Sequence, residues 1–329
     1  MSAVKVWVLS DGAPGHLSQS RGIVDALATR CDVQVTTIML RVRSSVWKRL
    51  GRLLLPVISN QQAWLSRTYD IDVPAGTPQL IVSSGANTLL ANALLARQTG
   101  AVNVYSGTLK GYAASAYRCV FTVVPLGAGN NHVLPLPPVP GELTRALPFV
   151  MTEQRRIVVL VGGDGAGYVY TPEDWRQFAR SLTQLAERHQ ARLLLTTSRR
   201  TGVEAEGLLR EHIPLALLAD AVWWSDAPRA VVRDFLAASS GVVVTEDSLT
   251  MVAESIYSAR PVIAVSPPAA TPNRNDAAAL AAYVERGLLM RCGVGSLADA
   301  TLDASAPVIP DVQAEIAGVL MPLLSECGQ

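Results

Sequence analysis

The chain has 329 residues, 49% of them apolar and 17% charged, with a formal net charge of +1. That length and balance describe a globular protein with room for two cores, and they exclude a disordered chain and one that grips nucleic acid through overall positive charge. Four scattered cysteines, Cys31, Cys119, Cys292 and Cys327, with no CxxC pair, exclude a recognisable zinc motif or dense disulfide framework and fit reduced thiols of a cytosolic protein.

The start of the chain, MSAVKVWVLSDG, is too short in its apolar run for a signal peptide and reads as a first strand over residues 4–9. The glycine turn Ser10-Asp11-Gly12-Ala13-Pro14-Gly15-His16 follows, then a helix to about residue 29 and a second strand over 33–39. His16 ends the turn, and histidine, whose unperturbed side chain titrates at about 6.5, is the residue type suited to taking a proton from a hydroxyl. Gln19, one turn further, is placed to position that hydroxyl. The alternative for His16 is a structural role.

Residues 41–67, RVRSSVWKRLGRLLLPVISNQQAWLSR, carry six basic residues and no acid, with Trp47, Trp64 and several leucines between them. Basic and apolar residues at helical spacing fit a helix lying on an anionic membrane surface; the alternative is a surface helix with its apolar side in the core. No uninterrupted apolar run reaches the length of a membrane span, about 18 residues. A peripheral position on the inner face of the plasma membrane is the most that this segment implies.

Residues 80–106 read as strand, small-residue turn, helix and strand, and residues 242–266, VVVTEDSLTMVAESIYSARPVIAVS, repeat that plan. Overlaying them puts Ser83 on Thr245, Thr88 on Thr250 and Asn92 on Glu254. Residues 4–27 and 157–182 form a second echo, each a strand, a Gly-rich turn and a helix. The repeats run in the same order in both halves, so the fold expected is α/β with two Rossmann-like doubly wound domains built on parallel sheets. The boundaries expected are 1–140 for the first domain, 141–155 for a linker within the proline-rich stretch 129–148, and 156–329 for the second. Such domains would face each other across a cleft lined by the carboxyl ends of both sheets.

Chemistry-bearing residues cluster in the second half. Gly162, Gly163, Asp164 and Gly165 follow the strand at 157–161, where glycine would let the backbone approach a phosphate. The loop is not a GxGxxG leading straight into a helix, because Thr171 caps that helix with Pro172 behind it; nor is there a P-loop. Ser198, Arg199 and Arg200 follow a buried strand at 193–197, and guanidinium forks pair bidentately with phosphate oxygens. The alternative for the arginines is an ion pair with Glu204 or Glu206. Ser248, Leu249 and Thr250 open a helix whose N-terminus suits an anion, and Glu254 shares the face of Thr250, where it would take ribose hydroxyls. Glu246 and Asp247 would repel a diphosphate there, so they either cap the helix or act on the acceptor as base or binder. A well-capped crossover helix with no ligand is the structural alternative.

Two resemblances follow from these motifs. Gly15-His16-Leu17-Ser18-Gln19, Val161-Gly162-Gly163, Thr197-Ser198-Arg199-Arg200-Thr201 and Val244-Thr245-Glu246-Asp247-Ser248, with Met251 and Glu254, resemble the mitochondrial-fission (elongated mitochondria) family. The chain departs from that family between 220 and 238, where WWSDAPRAVV replaces a Gly/Asn-Pro-Tyr-like element. More distantly, Gly15-His16 and Leu249-Thr250-x-x-x-Glu254 are similar to GT-B glycosyltransferases such as the peptidoglycan N-acetylglucosaminyltransferase. That resemblance implies a metal-independent transferase with no cofactor, using a nucleotide-diphosphate sugar, most readily a UDP-sugar. Glu254 would hold the ribose, and the acceptor would be a cell-envelope glycan, such as lipopolysaccharide, or a lipid-linked molecule. In this reading the second half holds the nucleotide, and the first half, with His16, serves the acceptor. Two further readings are a nucleotide-sugar epimerase on the same fold, with Glu246 and Asp247 as acid and base, and a non-catalytic membrane-associated adaptor.

Overall fold

The computed structural model describes residues 3–144, 154–302 and 307–326. The chain divides into two compact units, Met1–Glu142 with Pro310–Gln329, and Leu143–Ile309.

The first unit runs β1 (Val4–Ser10), α1 (Pro14–Ala28), β2 (Val33–Val42), α2 (Ser45–Leu54), α3 (Gln61–Thr68), β3 (Tyr69–Ile71), β4 (Leu80–Ser84), α4 (Leu89–Thr99), β5 (Val102–Ser106), β6 (Cys119–Thr122), β7 (Asn131–Val133) and α5 (Gly141–Thr144). Its seven strands lie in the order β3-β2-β1-β4-β5-β6-β7. All neighbours are parallel except β3, which runs antiparallel to the end of β2. The sequence reading did not foresee that edge strand, because three residues carry no periodicity of their own. It also read the stretch from 129 as linker, whereas β7 extends the sheet through it. Asn131 supplies the reason, donating from Nδ2 to the Val120 carbonyl and to Thr122 Oγ1. The expected linker 141–155 begins with α5, and its residues 145–153 lie outside the described residues.

The second unit runs β8 (Arg155–Leu160), α6 (Pro172–Arg188), β9 (Ala191–Thr196), α7 (Gly202–His212), β10 (Leu218–Val222), α8 (Val232–Ala237), β11 (Gly241–Thr245), α9 (Leu249–Tyr257), β12 (Val262–Ser266), α10 (Arg274–Glu285) and β13 (Met290–Gly293). Its six strands are all parallel, in the order β10-β9-β8-β11-β12-β13. Helix α6 starts on a capping box in which Thr171 Oγ1 accepts from the Asp174 amide and the Asp174 carboxylate accepts from the Thr171 amide.

The last helix, α11 (Val312–Glu326), returns to the first unit. The boundary expected at 156–329 is therefore corrected: α11 groups with the first unit. The apolar positions Val312, Ile316, Ala317 and Leu320 of α11 are buried. Pairing an amphipathic helix with a distant partner leaves no trace in local spacing.

Each unit has its own core. Trp7, Leu9, Ile81, Leu90, Leu94 and Tyr105 belong to the first, and Ile157, Val159, Phe178, Leu182, Leu195 and Val243 to the second. Among strands buried along their length, β11 and β12 are near-continuous apolar runs, as a sheet covered by helices requires, while β4 and β5 also bury Ser83, Ser84, Asn103 and Ser106.

Candidate functional site

In each unit the strand order reverses beside the central strand, at β1/β4 and at β8/β11. The crevice beyond the carboxyl ends of such strands is where open α/β sheets take ligands. The predicted residues fall at these two places.

In the second unit, β8 ends in the glycine loop, β9 in Ser198–Thr201 and β11 in Thr245–Ser248. Thr245 Oγ1 accepts from the Gly162 amide at 2.7 Å, and Ser198 Oγ donates to the Gly162 carbonyl at 3.1 Å. Thr201 Oγ1 donates to the same carbonyl. Gly162, Ser198, Thr201 and Thr245 are thus bound together. The Asp247 side chain is fully buried over Gly162, where a Cβ would lie 2.1 Å from its Oδ2. Arg200 Nη2 lies 2.5 Å from that oxygen, and Nη1 donates to the Asp247 carbonyl at 3.3 Å. Burial pushes the Asp247 carboxyl above its usual range, and the hydrogen bond with Thr245 and the charge of Arg200 oppose that push.

Arg200 pairs with Asp247, so the predicted alternative of a pair with Glu204 or Glu206 is corrected. Glu206 is buried and accepts from Thr197 Oγ1 and from the Ser225 amide. Arg199 is exposed and has no partner among the described residues. Asp164 accepts from the Tyr170 amide at 2.9 Å and so closes its own loop.

The glycines of the loop are explained by protein rather than by phosphate. A Cβ on Gly163 would lie 2.2 Å from the Arg200 carbonyl oxygen, and one on Gly167 would lie 2.1 Å from that of Thr271. Gly165 faces the Arg200 guanidinium.

Glu246 points elsewhere. Arg291, on β13, grips it bidentately, Nε to Oε1 at 2.6 Å and Nη2 to Oε2 at 2.7 Å, and the Tyr168 hydroxyl donates to Oε2. Its carboxylate is fully buried in this pair, so the structure gives it fixed partners instead of an open position beside a ligand. Arg291 lies 45 positions away, and nothing in the local sequence announced it.

Helix α9 starts at Ser248, whose side chain accepts from the Met251 amide. Val252, Ala253 and Ile256 are buried, while Leu249, Thr250, Met251 and Glu254 remain partly open. Among the described residues the Glu254 carboxylate has neither a hydrogen bond nor an ion pair. Burial alone pushes it up to about 7. Its counterpart in the first unit, Asn92, is consumed by packing: Nδ2 donates to Ser83 Oγ and the Val104 carbonyl, and Oδ1 accepts from Asn103.

In the first unit His16 lies on α1, and its ring covers Gly85, where a Cβ would fall 2.2 Å from Nδ1. Nδ1 pairs with Asp11 Oδ1 at 2.9 Å. Asp11 Oδ2 also accepts from Asn87 Nδ2, and Asn87 Oδ1 accepts from Lys48 Nζ at 2.7 Å. With Nδ1–H directed at Asp11, Nε2 carries the ring's free lone pair, and the side chain is 40% exposed. Gln19 Oε1 accepts from Ser84 Oγ and Ser106 Oγ, at the ends of β4 and β5. The sequence reading missed Asp11, although its position five residues before His16 across a glycine turn was a usable signal.

Among the described residues no group of three or more His, Cys, Asp and Glu is placed to hold a metal.

Residues 141–304 match the model of the mitochondrial fission ELM1 family. The chain thus resembles that family over its second unit. No curated protein sequence matches. Among solved structures, a Staphylococcus aureus MnaA–UDP complex superposes with a TM-score of 0.61 at 12% identity, covering 98% of this chain and 97% of that one. A Methanocaldococcus jannaschii UDP-GlcNAc 2-epimerase in complex with UDP-GlcNAc and UDP gives 0.53 at 10%, covering 98% and 100%. The glycosyltransferase of kitacinnamycin gives 0.55 at 11%, covering 99% and 96%. The fold is therefore GT-B-like, two Rossmann-like units of the kind shared by glycosyltransferases and nucleotide-sugar epimerases.

Proposed function

We propose that the chain is a glycosyltransferase that takes its sugar from a nucleoside-diphosphate sugar, most readily a UDP-sugar, and needs no metal. The observation that carries this reading is Glu254, a partly buried carboxylate without a partner among the described residues, one turn inside a helix that opens at the switch point of its sheet. A carboxylate so placed has the acceptor oxygens that a pair of ribose hydroxyls requires. Arg200, at the neighbouring strand end, supplies the positive charge for the leaving diphosphate, together with the α9 N-terminus.

In the reaction the acceptor oxygen bonds to the anomeric carbon as the bond from that carbon to the diphosphate oxygen breaks. His16 Nε2 takes the hydroxyl proton, and Asp11 steadies the imidazolium that results. Gln19 is the nearby group for orienting the acceptor, which we propose is a cell-envelope glycan or a lipid-linked molecule. The arrangement favours transfer over epimerisation, because Glu246 is locked to Arg291 and Asp247 is buried against Arg200, so neither is free for acid or base work.

Calorimetric titration with UDP, UDP-GlcNAc and other nucleotide sugars tests the reading. Binding is expected, weakened tenfold or more in Glu254→Gln, the loss of a charged hydrogen-bond acceptor being worth about 1.5–3 kcal/mol. No binding of any nucleotide or nucleotide sugar would overturn it in favour of a non-catalytic adaptor. Conversion of donor to its epimer without acceptor would overturn transfer in favour of epimerisation.

A further inference from the structure

Helix α2 is amphipathic, but its apolar stripe faces away from the unit that carries it. Val46, Leu50, Leu53 and Leu54 on α2, and Val57 in the 3-10 turn Leu55–Val57 that follows it, recur at i, i+4, i+7, i+8 and i+11, and they are 65%, 39%, 68%, 42% and 75% exposed. The side that packs inward is Gly51, where a Cβ would lie 2.5 Å from Leu90, followed by Leu55 and Ile58 in the core. In a globular helix the apolar stripe is the buried one. Here the exposed stripe is surplus to the core.

Basic residues predominate beside the stripe, with Asp70 paired to Arg43 at 3.7 Å. Arg49 and Arg52 on α2, Arg41 and Arg43 before it, and Arg67 near the end of α3 are all exposed, and residues 41–67 contain no acid. Trp47 and Trp64 meet edge to face at 5.1 Å with the Arg67 guanidinium over Trp47, which ties α2 to α3. The stripe is thus a supported surface with basic residues around it.

We propose that this face of α2 docks on an anionic bilayer. The interfacial region accepts leucine and valine without needing a matched pocket, to a depth of about 5–10 Å, and arginines at that level meet lipid phosphates. A second copy of the chain fits less well, since stacking the face on itself would set the arginines of α2 and α3 against one another, with Asp70, already paired with Arg43, the acid beside them. A link also runs inward from the same helix: Lys48 donates to Asn87, which donates to Asp11, the partner of His16. Docking would therefore bring the His16 cluster close to the membrane surface, whichever donor the second unit binds.

Vesicle flotation of the full chain tests this independently of nucleotide binding. The protein is expected to float with phosphatidylcholine vesicles containing phosphatidylglycerol, not with phosphatidylcholine alone, and to be released by salt. Leu53→Glu with Val57→Glu is expected to cut partitioning tenfold or more. Arg49→Gln is expected to cut it about fivefold, the worth of one basic residue near such a surface. All three positions are exposed, and an unchanged thermal melt verifies that the variants fold. No flotation with anionic vesicles, or flotation untouched by the Leu53/Val57 variant, would overturn the proposal. So would a dimer in sedimentation velocity that Leu53→Glu dissociates, because a second copy would then cover the face.

Discussion

Glu254 is a partly buried carboxylate that no group among the described residues compensates. Its carboxyl titrates near 7 in the folded chain against 4.5 for the free group, so between those values the folded state binds a proton that the unfolded state has lost. Stability therefore falls as pH rises from about 4.5 to 7. Glu254→Gln should remove that cost: at pH 8 the variant is expected to be more stable than the native chain by about 1–3 kcal/mol, and at pH 4 nearly equal to it. Denaturant unfolding at the two pH values measures the difference. A residue whose removal stabilises the protein while weakening nucleotide binding is held for function and not for the fold. If the variant gains nothing at pH 8, an unseen partner neutralises Glu254 and the functional reading loses its main support.

At the scale of elements, the loop between β8 and α6 is held by two neighbours. Gly163 lies against the Arg200 carbonyl and Gly167 against that of Thr271, so backbone meets backbone with no room for a side chain. Gly163→Ala is expected to destabilise the second unit by about 2 kcal/mol or more, because the clash is with a carbonyl that cannot swing aside. Its measurement is the melting temperature in the absence of nucleotide; a neutral result would mean the loop can yield. The pair Glu246–Arg291 acts similarly, joining the end of β11 to β13 across β12. Arg291→Met would leave a buried carboxylate without its guanidinium and is expected to cost about 2–3 kcal/mol, somewhat below a fully buried pair since the arginine is 37% exposed. Denaturant unfolding of the variant measures that cost, and an unchanged midpoint would show that the pair does not hold β13 in place.

At the scale of the molecule, the chain starts and ends in the same unit. The second unit is inserted between α5 and α11, and α11 completes the covering of the first sheet. Val312, Ile316 and Leu320 are buried there, which at about 1.5–3 kcal/mol for each side chain makes the helix worth roughly 5 kcal/mol or more to its unit. A chain truncated after residue 309 is expected to lose the cooperative transition of the first unit while keeping that of the second, read by calorimetry. Two unchanged transitions would show that α11 is dispensable.

The sequence by itself determined the class of fold and the order of its parts. Apolar runs of strand length alternate with helical stretches, and the two halves repeat the same plan, because a doubly wound sheet demands buried strands and capped crossovers wherever it occurs. It also placed polar residues, His16, Gln19, Arg200 and Glu254 among them, beyond the strand ends beside the switch points. Only the tertiary structure decided which of these remain available. Arg291 reaches Glu246, Arg200 reaches Asp247 and Asn92 is spent on Ser83, all through contacts that join distant strands and leave no local pattern. The same holds for α11, whose partner is set by packing, and for α2, whose spacing shows an apolar stripe but not the side on which it lies. Those outcomes depend on which surfaces meet in three dimensions, and they leave Glu254 partly buried with no partner among the described residues.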